Sequence, residues 1–358
     1  LGVQQLPIRT LVVDDTAFMR RALVEILERD PDIEVVGVAR HGKEALEAIS
    51  RLEPDVVTLD IDMPVMDGLT AIKHIMVRCP RPVVVVSGLA EQGAVTLEAL
   101  RLGAVDFFPK PSGTISPDIG ARGQELSRVV KQAARISPRS IRRVRLRRHD
   151  SPHETWHHDQ TPSGIVIIQA HKGASGNLIR LLANLRPGLP VGIIAIQDIA
   201  SEVLASYSLE LRALVPWSIV AGSAAAVIPG GCVLTTFASV SSLELQNGRL
   251  WMQPGALGGD VNLLMTQAAQ FLGPHCLAII LGGPPDQVLV GLKSIREAGG
   301  AGLLFCSDTP YAQDTPCNDP RFLETLEAIT SECELWQKIE SFSRAVLLHG
   351  QGPEEQME

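Results

Sequence analysis

Three aspartates, a serine and a lysine carry the clearest chemistry in this sequence. Asp14 and Asp15 follow one apolar run, Leu11-Val12-Val13, and Asp60 follows another, Val56-Val57-Thr58-Leu59. Ser87 ends a third run, and Lys110 follows Asp106-Phe107-Phe108-Pro109. Carboxylates gathered in one place repel each other unless a cation sits among them, and hard oxygen ligands suit Mg²⁺. A carboxylate nucleophile beside such a cation, with an ammonium and a hydroxyl at hand, is equipped to accept a phosphoryl group. On this reading Asp60 is the nucleophile, and Asp14, Asp15 and Asp60 hold Mg²⁺. Lys110 pairs with one phosphate oxygen and Ser87 hydrogen-bonds to another. Movement of Ser87 toward the phosphate would be relayed to Phe107, so that a local charge event biases a two-state surface.

Such a cluster needs a scaffold that delivers all five residues to one edge. The spacing predicts strands over Ile8 to Val13, Glu34 to Ala39, Asp55 to Leu59, Pro82 to Ser87 and Asp106 to Phe108. Helices fall between them, over Ala17 to Glu28 and Gly42 to Leu52. Val- and Ile-rich strands that alternate with helices indicate a doubly wound parallel sheet. In a flavodoxin-like strand order the first and third strands are neighbours, and ligands bind beyond the carboxyl ends of the strands. That placement brings Asp14, Asp15 and Asp60 together.

The rhythm resumes later. Strands are expected over Ile165 to Ala170, Val191 to Gln197, Cys276 to Leu281 and Ala301 to Cys306. Helices are expected over Ser175 to Asn184, Asp260 to Phe271 and Val288 to Ala298. The fold class is therefore α/β, with two doubly wound parallel-sheet domains. The first spans 8–112 and the second 163–349, with a basic linker over 113–162 that includes a possible helix from Gln124 to Ala134. Seven arginines between Arg135 and Arg148, then His149, His153, His157 and His158, read as a solvated segment.

The first region resembles the receiver of two-component response regulators. The resemblance rests on Val12-Val13-Asp14-Asp15, Leu59-Asp60-Ile61-Asp62-Met63-Pro64, Met66-Asp67-Gly68, Ser87 and Phe108-Pro109-Lys110-Pro111. It implies that the backbone carbonyl of Asp62 is a further Mg²⁺ ligand. Thr16-Ala17-Phe18-Met19-Arg20-Arg21 and the run Gly103 to Gly113 resemble, more narrowly, the receiver of the chemotaxis protein-glutamate methylesterases. That resemblance implies a C-terminal three-layer α/β esterase domain, a chemotaxis-type histidine kinase as partner and chemoreceptors as possible partners. In that family an unphosphorylated receiver restrains the esterase.

The second region is similar to the esterase in its scaffold, at Leu178 to Leu182, Ile196-Gln197, Ile228-Pro229-Gly230, Asp260-Val261, Ile280-Leu281 and Ala298-Gly299-Gly300. It departs from the family at the catalytic positions. Without gaps, His171 falls where the family has its nucleophilic serine, Asp198 where it has histidine, and Gln287 where it has aspartate. Pro284 falls where a backbone N–H should meet the oxyanion, and proline has none. The expectation is a response regulator phosphorylated on Asp60 whose second domain is catalytically inactive and acts by binding. The alternative is an active methylesterase, or a related hydrolase or deamidase, working on chemoreceptors through a rearranged site. Ser175, in Gly173-Ala174-Ser175, is the alternative nucleophile. His171, Asp198 and Asp286 could instead form a metal site or a His–Asp pair.

Composition sets outer limits. The chain has 358 residues, 45% of them hydrophobic and 20% charged, the balance of a globular protein. A net charge of −8 argues against nucleic acid as partner. No apolar run is long enough to span a bilayer and no leader opens the chain, so the expectation is a cytoplasmic protein without membrane insertion. The six cysteines show no C-x-x-C pair, so reduced, mostly buried thiols are expected.

Overall fold

The computed structural model describes residues 6–88, 92–110, 118–136, 138, 141, 161–171, 174–186, 188–199, 201–222, 224–240, 242–253, 259–282, 288–306 and 324–350. The chain forms two compact units, Leu1–Arg145 and Leu146–Glu358.

In the first unit the strands are β1 (Ile8–Val13), β2 (Ile33–Ala39), β3 (Val56–Leu59), β4 (Val83–Ser87) and β5 (Asp106–Pro109). They pair in parallel in the order β2-β1-β3-β4-β5, the flavodoxin-like arrangement. The helices are α1 (Ala17–Leu27), α2 (Gly42–Leu52), α3 (Gly68–Arg78), α4 (Gln92–Leu102) and α5 (Asp118–Ala134). The inner strands β3 and β4 are buried on both faces, which is why they read as unbroken apolar runs. One core packs Ala45, Ala48 and Ile49 of α2 and Ala71, Ile72 and Ile75 of α3 against Leu11, Val57 and Val85. The segment 113–162 expected as linker contains α5 whole. Leu126, Val129, Val130 and Ala133 of that helix are buried, and it packs against α1 and β3 to β5. Its apolar stripe needs that sheet face, so the first unit runs well past residue 112. The arginine- and histidine-rich stretch 142–160 lies outside the described residues.

The second unit is built on β6 (Gly164–Ala170), β7 (Val191–Gln197), β8 (Ser218–Ala221), β10 (Gly231–Thr236), β13 (Cys276–Ile280), β14 (Ala301–Phe305) and β15 (Glu327–Ile329). These form one sheet in the order β15-β14-β13-β6-β7-β10-β8, and every pairing is parallel. Helices α8 (Val261–Leu272) and α9 (Leu289–Glu297) cover one face through Leu264, Met265, Ala268, Leu292 and Ile295. Helices α6 (Ser175–Asn184) and α10 (Glu332–Gly350) pack together and against β6, and α7 (Leu204–Arg212) lies against β8 and β10. An unexpected small antiparallel sheet, β11-β12-β9, comprises Ser242–Gln246, Arg249–Gln253 and Ala225–Ala226.

Cys232 and Cys276 are buried free thiols, as expected, and burial pushes each up to about 12. Cys306 departs from that expectation: it is disulfide-bonded. It sits just past the end of β14, half-buried against the core of the second unit. Among the described residues no helix is long and apolar enough to cross a membrane.

Candidate functional site

The carboxyl edge of the first sheet assembles the predicted cluster. One oxygen from each of Asp14, Asp15 and Asp60 lies within 4.8 Å of the others. Asp14 is 0% exposed and Asp60 2%, while Asp15 faces solvent. Local main chain aims these groups. The Thr16 N–H donates to Asp14 Oδ1 and the Ile61 N–H to Asp60 Oδ1, each at 2.8 Å. Lys110 Nζ stands 2.9 Å from Asp14 Oδ2 and 2.7 Å from Asp60 Oδ2. These are ion pairs by distance, but neither buried Oδ2 receives a hydrogen bond of good geometry. Both oxygens keep lone pairs for a further cation, and a hard divalent ion fits three such donors.

Burial is the largest influence on Asp60 and pushes its carboxyl up. Lys110 pulls the other way, Asp14 adds repulsion, and the Ile61 amide offsets part of it; the net shift is upward. Burial opposes the charge on Lys110, but Asp60 and Asp14 outweigh it and hold the ammonium above its ordinary range. Burial, more than repulsion between the acids, is what the ammonium leaves uncompensated at Asp60.

Ser87 is buried at the end of β4, and its carbonyl accepts the Lys110 N–H at 2.8 Å. One hydrogen bond thus ties these two residues together. Phe107, half-buried on β5, packs against the core shared with β4. Asp62 is exposed in the loop that leaves β3. That loop returns through Gly68, whose N–H donates to Ile61 O at 2.8 Å. A Cβ on Gly68 would fall 2.2 Å from Asp60 O, so only glycine lets α3 start there.

Arg20 was not singled out from the sequence. Its Nη1 donates to the carbonyls of both Asp14 and Asp15 at 2.8 Å and so clamps the turn that presents the two acids. Arg20 stands in the run Thr16 to Arg21 that carries the family resemblance, which gave the residue no role of its own.

In the second unit β6 lies between β7 and β13, so the chain's direction of winding reverses beside β6. The Asp198 N–H donates to Ala170 O at 3.0 Å, which extends the β6–β7 pairing by one residue and sets His171 beside Asp198. His171 Nδ1 stands 3.4 Å from Asp198 Oδ2. The ring also packs on Phe237, in the turn after β10, at a centroid distance of 4.6 Å and a tilt of 35°. His171 Nε2 is buried and has no hydrogen-bond partner among the described residues. Ser175, the alternative nucleophile, is buried at the start of α6, and its Oγ accepts from Gln197 Nε2 at 2.8 Å. Gln197 is the last residue of β7 and Asp198 follows it. The structure thus brings His171 and Asp198 together and gives Ser175 a different partner. Pro284, Asp286 and Gln287 lie outside the described residues.

Sequence comparison agrees with this layout. The family described as response regulator receiver domain matches residues 10–116, and CheB methylesterase matches residues 166–314. A Symbiobacterium thermophilum protein named protein-glutamate methylesterase/protein-glutamine glutaminase is 36% identical over 312 residues, covering 83% of this chain and 86% of its own length. A Pyrococcus abyssi protein of the same name is 32% identical over 309 residues, covering 82% of each. Among solved structures, the response regulator domain of Thermotoga maritima CheB is 49% identical, covers 37% of this chain and 99% of its own, and has a TM-score of 0.35.

Proposed function

The chain belongs to the family of chemotaxis protein-glutamate methylesterases, and from that premise we propose that it is a response regulator phosphorylated on Asp60 by a histidine kinase of the chemotaxis type. The observation that carries this is the buried acid pair held by one lysine, with Lys110 Nζ at 2.7 and 2.9 Å from oxygens that still have free lone pairs. Asp14, Asp15, Asp60 and the carbonyl of Asp62 would hold Mg²⁺, which supplies charge neutralisation for the incoming phosphate oxygens. An Asp60 oxygen attacks phosphorus as the bond to the kinase histidine breaks. Lys110 then exchanges a carboxylate partner for a phosphate oxygen, and Ser87 donates its hydroxyl to another. Incubation with a small phosphodonor and Mg²⁺ should add one phosphoryl group to the protein, and Asp60→Asn should take up none. Equal labelling of both proteins would refute the assignment.

For the second unit, the relatives' names support hydrolysis of protein glutamyl esters or glutamine amides, and they support it more than inactivity. Chemoreceptors are then the substrates, reached through a site other than a standard serine triad. The binding reading is favoured by one observation: the Ser175 hydroxyl is buried and bonded to Gln197, so it is not held ready as a nucleophile. Methanol or ammonia release from a methylated or glutamine-bearing receptor fragment separates the two. Release by the phosphorylated protein upholds the hydrolase, and none from protein that is fully phosphorylated upholds binding.

A further inference from the structure

We propose that His171 and Asp198 form a water-activating pair that hydrolyses the carboxamide or methyl ester directly, with no serine nucleophile; this rests on the hydrolase reading above. Four observations meet at these residues. They lie at the carboxyl edge of the two central strands, beside β6, where the sheet's winding reverses and open α/β sheets bind their ligands. The Asp198 carboxylate stands 3.4 Å from Nδ1, which favours the tautomer with the proton on Nδ1 and the lone pair on Nε2. The distance is long for a hydrogen bond, but catalytic contacts of this kind tighten when substrate binds. Phe237, stacked on the ring, restricts its rotation. Nε2 is shielded from bulk solvent and meets no donor among the described residues, which costs free energy unless water or substrate fills the place.

Nε2 takes a proton from a water molecule as the water oxygen bonds to the carbonyl carbon of the glutamine or glutamyl ester. The carbonyl π electrons move onto oxygen. Collapse breaks the C–N or C–O bond, and Nε2 returns its proton to the leaving nitrogen or oxygen. The products are a glutamyl side chain and ammonia or methanol, so atoms and charge balance without an acyl-enzyme. Ser175 takes no part in this scheme, because its buried hydroxyl is bonded to Gln197.

The test uses the full chain, phosphorylated by a small phosphodonor, and measures ammonia release from a glutamine-bearing receptor fragment. Removal of a general base costs about 10²-fold or more, so His171→Gly should slow release by that factor. Added imidazole should restore part of the rate in His171→Gly and none in the bulkier His171→Gln, a pattern that a merely structural histidine would not produce. Asp198→Asn should lower the rate with phosphorylation unchanged. Wild-type activity that survives His171→Gly, or a loss that imidazole cannot mend, overturns the pair and leaves the hydrolase reading standing. A phosphorylated wild-type protein that releases neither ammonia nor methanol sinks both.

Discussion

Asp60 is costly to keep in the folded protein, and that cost is measurable. Its carboxyl is held above the ordinary carboxylate range in the folded state, mainly by burial. A group with a raised folded pKa contributes stability below its unfolded pKa, and that contribution is lost as pH rises through the folded pKa. Without Mg²⁺, Asp60→Asn should therefore have a higher Tm than wild type near neutral pH. The gap should close as pH falls below the carboxylate range. A thermal scan at several pH values in chelator checks this, and a variant less stable than wild type at neutral pH would contradict it. The five chemical residues were legible because acids, a hydroxyl and an amine at strand ends have few structural uses. Arg20 was not, because it serves main-chain carbonyls, which leave no mark in a side-chain pattern. His171 beside Asp198 was legible only as two adjacent strand ends; the stacking partner Phe237 comes from a distant turn.

At the scale of elements, the site depends on loops with little freedom. The β3–α3 loop passes so close to Asp60 that a methyl group on Gly68 would meet backbone, at 2.2 Å from Asp60 O and 2.7 Å from Ile61 Cα. Neither atom can yield as a flexible side chain would. Gly68→Ala should destabilise the first unit by about 3 kcal/mol, the upper end of ordinary point substitutions, and slow phosphorylation of Asp60 by shifting its backbone. Urea unfolding together with phosphodonor labelling reads both effects, and wild-type behaviour in both would remove the argument. The parallel strands were legible because burial on both faces leaves unbroken apolar runs. The hairpin Ser242–Gln246 to Arg249–Gln253 went unread although Asn247-Gly248 marks it, with φ of 51° and 76°, the positive values a tight two-residue turn requires. Arg249–Gln253 alternates half-buried and buried residues, but Ser242–Gln246 buries only Leu243, and Glu244, Gln246 and Arg249 hide the pair in a polar background. The helix α5 was placed among linker residues because its polar first turns resemble the basic segment after it; only Leu126, Val129, Val130 and Ala133 betray the packed face.

At the scale of the whole molecule, each unit has a core of its own. One is centred on Leu11, Val57, Ile72 and Val85, the other on Ile167, Ile194, Leu264 and Ile280. Separate cores predict separate unfolding. Calorimetry of the full chain should resolve two transitions, one for Leu1–Arg145 and one for Leu146–Glu358. Mg²⁺ should distinguish them, because the acidic site lies wholly in the first unit. A ligand that binds only the folded state stabilises by about 2.7 kcal/mol at a hundred times its Kd, which for a domain of this size raises Tm by roughly 10 °C. The first transition should move by that order when Mg²⁺ replaces chelator, and the second should stay in place. Asp60→Asn, with one carboxylate fewer, should show a smaller movement of the same transition. If Mg²⁺ moved both transitions equally, or the chain melted as one cooperative block, the two units would share stability. Phosphorylation at Asp60 could then act on the second unit by stiffening the whole chain, and a switch between separately stable parts would be the wrong description.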